Sequence, residues 1–267
     1  MDLGFAGSTA VATGGSKGMG LAIAETLAAE GASVAVMARS QGALDAAVTS
    51  LLEAGAPDAV GISVDMADAQ SIIDGFAAVS ERWGRLNSLV HTIGPGDGYF
   101  EQMDDIQWDA AFALGTMSAV RSIRASLPLL RSAEWARIVT LSAHSIQQQN
   151  PRIVAYTASK AALASVTKNL SKSLARDGIL VNCVCPGTIV TASFTEQLKD
   201  ILAADGLDAT NPRDVMTWID NNFHQPCYLG RAGLPEEVAS LTAYLASRRN
   251  GYVAGATVNV DGGSDFV

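Results

Sequence analysis

Ser8-Thr9-Ala10-Val11-Ala12-Thr13-Gly14-Gly15-Ser16-Lys17-Gly18-Met19-Gly20 is the stretch whose reading decides the fold. A short apolar run breaks at a glycine cluster, and the chain restarts with Leu21, Ala24 and Leu27 at helical spacing. That pattern is a strand, a tight turn and a helix. Glycines at 14, 18 and 20 permit a turn with no side chain between backbone and ligand. The helix that opens there presents unpaired N–H groups and the positive end of its dipole, which suits a pyrophosphate. The spacing is Gly-x-x-x-Gly-x-Gly, not the Gly-x-Gly-x-x-Gly of the standard dinucleotide fingerprint. Taken alone, it also fits an ordinary glycine-rich connection.

Outward from this unit, apolar runs predict strands at 33–38, 59–64, 86–91, 137–142, 179–184 and 256–260. Between them, helical periodicity predicts helices at 41–54, 69–83, 106–131, 154–176 and 235–246. Continuous apolar strands alternating with amphipathic helices imply a parallel sheet covered on both faces. Right-handed crossovers make it doubly wound, with ligands bound beyond the carboxyl ends of the strands. The 267 residues show no linker, repeat or low-complexity tract, so one domain spanning 1–267 is expected.

A net charge of −9 argues against a nucleic-acid partner, which needs concentrated Lys and Arg. No secretory signal and no apolar run of about 18 residues is visible, so no membrane partner is expected. Cys183 and Cys185, two apart on one strand face, are poorly placed to bridge each other. With Cys227 they read as buried small residues in a reducing, cytoplasmic setting rather than a metal site.

The residues just past each strand are the ones to read for chemistry. Strand two ends at Ala38-Arg39-Ser40, where a free ribose 2′-hydroxyl favours an acid and a 2′-phosphate favours Arg. Ala38 stands at the acid's place, and Arg39 with Lys17 forms a phosphate pocket. Asp65, past strand three, either accepts from an adenine amino group or caps the next helix. Strand four runs into His91-Thr92-Ile93-Gly94-Pro95-Gly96-Asp97-Gly98, where Gly94 lets the backbone lie against a ligand and the rest is loop chemistry. His91 is a candidate base, although a lone strand-end histidine is more often structural.

Strand five ends at Ser142, and the following helix carries Tyr156-Thr157-Ala158-Ser159-Lys160. Positions i and i+4 share a helix face, so phenol and ammonium stand together. A tyrosine titrates near ~10, and a neighbouring cation stabilises its phenolate, as a general acid–base requires. Ser142 offers a neutral hydroxyl to hold a substrate oxygen.

At these residues the chain resembles the short-chain dehydrogenase/reductase family. The resemblance rests on Thr13-Gly14-x-x-x-Gly18-x-Gly20, Ser142, Tyr156-x-x-x-Lys160, Asn182-x-Val184-x-Pro186-Gly187 and Val260-Asp261-Gly262-Gly263. It implies a single-domain Rossmann-like fold of about seven parallel strands with helices on both faces. It further implies that the turn from Gly14 through Ser16, Lys17, Gly18 and Met19 to Gly20 holds a dinucleotide. Met66, Ile93 and Gly94 join Arg39 and Asp65 as cofactor contacts. Pro186, Gly187, Ile189 and Thr191 lie by the nicotinamide, Lys160 binds its ribose, and Tyr156 exchanges a proton with the substrate oxygen. Arginine at the place of Arg39 goes with NADP(H), while NAD(H) is the alternative. A homotetramer or homodimer is implied as well.

Three departures stand out. The strand-four motif keeps only Gly94. Gly115 occupies the place of an asparagine that relays protons through water. Ser142 precedes Tyr156 by fourteen positions, one more than usual, and the usual register falls on Ala143, with Ser145 a second hydroxyl nearby. Ser142 is the expected serine, as the residue that ends the strand. His144 and Gln147-Gln148-Gln149 lie in the same loop.

Between about 191 and 230 a longer segment carries Phe194, Leu198 and Ile201, then Trp218, Ile219 and Phe223, at helical spacing. In the family this is a substrate-covering lid, with Trp218, Phe223, His224 and Tyr228 as candidate walls or as packing of the lid on its own domain. The function expected is an NADP(H)-dependent oxidoreductase acting on a small-molecule carbonyl/alcohol pair through Ser142, Tyr156 and Lys160. The rivals are an NAD-dependent alcohol or diol dehydrogenase, and a cofactor-binding sensor or scaffold with little catalysis.

Overall fold

The computed structural model describes residues 2–96 and 98–264. Asp97 of the loop after strand four lies outside the described residues. The first half of the chain runs β1 (Thr9–Thr13), α1 (Gly18–Ala29), β2 (Ser33–Ala38), α2 (Gln41–Ala54), β3 (Ala59–Ser63), α3 (Ala69–Trp83) and β4 (Ser88–His91). It continues through α4 (Asp105–Phe112), α5 (Ser118–Arg131), β5 (Ala136–Leu141), α6 (Val154–Ser173) and β6 (Ile179–Pro186). It ends with α7 (Ala192–Ala204), α8 (Pro212–Phe223), α9 (Pro235–Ala246) and β7 (Thr257–Val260). The seven strands form one parallel sheet in the order β3-β2-β1-β4-β5-β6-β7. The order reverses between β1 and β4, where a doubly wound sheet opens its ligand crevice.

Strand alternation divides the core in two. Ala10, Ala12, Val34 and Val36 face a layer with Ile23, Leu27, Leu44 and Val238 from α1, α2 and α9. Val11, Ala35 and Met37 face Ile72, Phe76, Ile123 and Leu130 from α3 and α5. Ile23, Leu27, Leu44 and Ile72 are fully buried, each contributing about 1.5–3 kcal/mol.

Strands β3, β5, β6 and β7 differ from the sequence expectation by one or two residues at their ends, and three other elements differ as well. β4 starts at Ser88 rather than 86: the Leu86 N–H donates to the Leu129 carbonyl of α5 instead of a neighbouring strand, and the Asn87 side chain bridges strands, accepting from Thr9 N and donating to the Trp135 carbonyl. The final long helix before β6 ends at Ser173, followed by a short tight turn from Ala175 to Asp177. The helix expected at 106–131 is interrupted by one widened π-turn at Ala113–Met117 between α4 and α5.

Gly115 sits in that π-turn against α6. A Cβ there would lie 2.7 Å from Ser159 Cβ and 3.2 Å from Pro95 Cγ, and would collide with the Ser159 hydroxyl. Thr116 donates to the Ser159 carbonyl at 2.8 Å, and Ser159 donates to the Tyr156 carbonyl, so the two segments are locked.

His91 closes the same region from the sheet side. It is fully buried, with Nδ1 2.8 Å from Thr13 Oγ1 and Nε2 3.0 Å from Ser118 Oγ. Ser118 gives its one proton to the Leu114 carbonyl. The imidazole therefore donates from Nε2 and accepts from Thr13 at Nδ1, a neutral tautomer with both nitrogens used. Burial, aided by the Lys160 charge, pushes its pKa down to about 3. The candidate base is thus a structural strut joining β1, β4 and α5.

Two outcomes follow from these contacts. Between its ordinary value of 6.5 and about 3, the unfolded chain binds a proton at His91 that the folded chain refuses, so stability falls as pH drops through this window. In denaturant titrations, His91→Asn gives a shallower loss of unfolding free energy between about pH 6.5 and 4 than the parent. Gly115→Asn costs about 1–3 kcal/mol in the same assay, because the α5–α6 contact has no room for a side chain.

Candidate active site

The glycine turn fits a dinucleotide by what it leaves out. Gly14 has φ +73°, and a Cβ there would lie 2.6 Å from Thr92 Oγ1. A Cβ on Gly20 would lie 2.8 Å from the Gly14 carbonyl carbon, so the helix could not approach the turn so closely with any larger residue. Lys17, at the N-cap of α1, makes no side-chain capping bond, which leaves the first-turn N–H groups to an anion. Beside them opens a cavity of ≈ 450 Å³. Its walls include Gly14, Ser16, Lys17, Arg39, Asp65, Met66, Ile93 and Gly94, eight of the expected cofactor contacts. Ala43, Ala67 and Leu114 are among its other walls, apolar residues that no sequence signal singled out.

Lys17 and Arg39 are exposed on this wall and form no ion pair among the described residues. Asp65 spends one oxygen on the Ala67 N–H, while Asp68 caps α3 by accepting from Gln70 N and Ser71 N. The capping role weighed for Asp65 belongs to Asp68.

α6 delivers Tyr156 and Lys160 one turn apart. Lys160 is 2% exposed, and its ammonium donates to the carbonyls of Ile93 and Leu141, each at 2.7 Å. Two of three protons are so used, and the third remains for a ligand. Burial pulls its pKa down to about 8, opposed by the nearby thiols Cys183 and Cys185, so the group stays mostly cationic at neutral pH. The ammonium lies 5.8 Å from the centre of the Tyr156 ring.

Tyr156 is half-buried on the wall of a second cavity of ≈ 340 Å³. Met19, Pro186, Gly187, Ile189 and Thr191 line it too, the other expected cofactor contacts of this half. A Cβ on Gly94, from the first cavity, would lie 3.6 Å from Tyr156 Cε2. The two cavities therefore adjoin at the phenol. Gly18 stands on neither wall; its Cβ position faces Thr191 at 3.4 Å.

Ser142 does not reach this cavity. It follows β5, is 4% exposed, and donates to the Lys160 carbonyl at 2.8 Å. Parity is the reason: 138, 140 and 142 share one face, the face on which Thr140 meets Thr167 of α6. Ala143, His144 and Ser145 line the cavity instead. Ser142, expected to hold the substrate oxygen, thus stands apart from Tyr156, with its hydroxyl engaged by the Lys160 carbonyl.

The segment 191–230 folds as α7 and α8 around its own core of Leu202, Ala209, Val215, Trp218 and Ala232. Trp218 thus packs within the segment, and Phe194, Ile219, Phe223 and Gln225 form the cavity wall. His224 terminates α8 in the left-handed region with φ 54°, and Tyr228 is 70% exposed beside a different cavity. Neither lines the space before Tyr156. Asn150 and Ile153 do, although the sequence offered no mark on them. The guanidinium of Arg152 stands 4.4 Å from the Phe223 ring and 6.0 Å from that of Tyr99, tying α8 to the loop after β4.

A family model described as enoyl-(acyl carrier protein) reductase matches residues 14–265. The chain is 32% identical over 264 residues to dehydrogenase/reductase SDR family member 4 of Caenorhabditis elegans, covering 97% of this chain and 95% of that protein. It is 31% identical over 266 residues to the 3-oxoacyl-[acyl-carrier-protein] reductase FabG of Escherichia coli, covering 99% and 100%. The structure of L-sorbose reductase from Gluconobacter frateurii, complexed with NADPH and L-sorbose, superposes with a TM-score of 0.92 at 30% identity over 100% of both chains. The likeness in sequence and fold thus runs along nearly the whole length, and the chain belongs to the short-chain dehydrogenase/reductase family of oxidoreductases.

Proposed function

We propose that this protein is an NADP(H)-dependent reductase of a small carbonyl compound, with Tyr156 as the general acid–base. The observation that carries the reading is the position of Tyr156 where the two cavities adjoin, one helical turn from the Lys160 ammonium. Gly14 to Gly20, with Pro186, Gly187, Ile189 and Thr191, would hold a nicotinamide dinucleotide, which in reduced form would supply a hydride to the carbonyl carbon. Tyr156 gives its proton to the carbonyl oxygen as that carbon accepts the electron pair, and solvent restores the phenol. The Lys160 charge stabilises the phenolate left behind, at a short distance and in a buried site. Its remaining N–H is free to orient the ribose.

Lys17 and Arg39 support NADP(H) over NAD(H). Both are cations on the wall of the adenosine-side cavity, and Ala38 offers no carboxylate to a 2′-hydroxyl. The α7–α8 segment lines the second cavity with Phe194, Ile219 and Phe223, an apolar wall facing the Tyr156 side.

Tyr156→Phe lowers kcat/KM by about 10²–10⁴-fold, while NADPH titrates the protein as before. Near-normal turnover in that variant refutes the assignment; cofactor binding by the parent without turnover across a broad carbonyl panel favours a non-catalytic binding role. Arg39→Ala lowers kcat/KM for NADPH by about tenfold or more and spares NADH, as expected for a lost charge-assisted bond to phosphate. An unchanged NADPH/NADH ratio defeats the cofactor preference.

A further inference from the structure

We propose that Ser145 supplies the hydroxyl that holds the substrate oxygen beside Tyr156, the task for which the sequence puts forward Ser142. The inference rests on the carbonyl-reductase reading above. It begins with an accounting of hydroxyl protons. Ser142 has one, and the Lys160 carbonyl takes it at 2.8 Å in a buried clamp between β5 and α6. Its backbone N–H is likewise taken, by the Val184 carbonyl of β6 at 2.8 Å. Ala143, next on the cavity wall, has no side-chain donor.

Ser145 is different on each count. It lies in the tight turn His144–Ile146, lines the same cavity as Tyr156 and is 3% exposed. Its oxygen accepts the proton of Thr157 Oγ1 at 3.0 Å. Thr157 follows Tyr156 directly on α6 and is itself buried. Because Thr157 donates, the proton of Ser145 is not used in that pair. A hydroxyl that already accepts a hydrogen bond is polarised into a better donor. A neutral donor fixed in a buried turn stabilises charge as it grows on a carbonyl oxygen, and it needs no reorganisation when the proton and hydride move. Thr157 thereby becomes a positioning residue, ordering the hydroxyl from the residue next to the acid.

The test uses NADPH with the ketone from a broad panel that the parent reduces with the highest kcat/KM. Ser145→Ala is expected to lower kcat by about 10²-fold with a smaller change in KM and unchanged NADPH binding. Ser145→Thr, which keeps the hydroxyl, recovers most of the rate, and Ala143→Ser added to Ser145→Ala restores part of it. The pair Ser145→Ala with Thr157→Val strands no hydroxyl and keeps the fold, so its loss of rate reports chemistry rather than unfolding. A Ser145→Ala rate within about threefold of the parent overturns the proposal, as does a Ser142→Ala loss equal to that of Ser145→Ala. If Tyr156→Phe is inactive while Ser145→Ala is not, only the assignment of Ser145 fails. If Tyr156→Phe remains active, or the parent reduces no member of the panel, the carbonyl-reductase reading fails with it.

Discussion

A buried ammonium held by two backbone carbonyls is the constraint on which the site depends. Taking a lysine out of water costs several kcal/mol, and bonds from a charged donor return about 1.5–3 kcal/mol each. The carbonyls come from Ile93, just past β4, and Leu141, the last residue of β5. Neighbouring strands must therefore end at matched heights, and the parallel register Ser88↔Arg137 through His91↔Thr140 provides this. The cation draws Tyr156 into its field, and it also forbids charge elsewhere: His91, behind it in the sheet, is kept neutral in part by the same ammonium. Fold and electrostatics are one problem here, because the sheet's register decides where a charge can be tolerated.

Much of this was legible in the residues. Uninterrupted apolar strands and the glycine turn give the parallel, doubly wound sheet. Pro235 at the first turn of α9 marks the start of that helix. The residues that gather at the first cavity were legible because most lie just past a strand end, where geometry leaves few alternatives. Helix interruption was not. A pattern of apolar spacing over 106–131 says nothing of a π-turn, which arises because Gly115 meets α6, far away in sequence.

Ser142 shows a subtler gap. The end of an apolar run locates a strand end, but not the side to which the last hydroxyl turns. The alternation Ile138, Thr140, Ser142 carries that information, since Thr140 already points at α6. Reading parity through the strand end would have moved attention to Ala143 and its neighbours. Most of that cavity wall was hidden for another reason: Phe194, Ile219 and Gln225 face inward, and Trp218 does not, only because α7 and α8 pack against each other. No local pattern distinguishes these faces.

The contact of Gly115 with Ser159 also constrains how this sequence can drift. Position 115 cannot gain a side chain while the serine hydroxyl fills that space, yet the hydroxyl is tied to the Tyr156 carbonyl in the helix that carries the acid. An asparagine at 115 is thus reachable only after 159 has shrunk, and the two changes have opposite signs when made in the wrong order. Such coupling makes the glycine self-preserving: while Ser159 and Pro95 hold their places, a side chain at 115 is barred by geometry, whatever selection favours at the reacting centre.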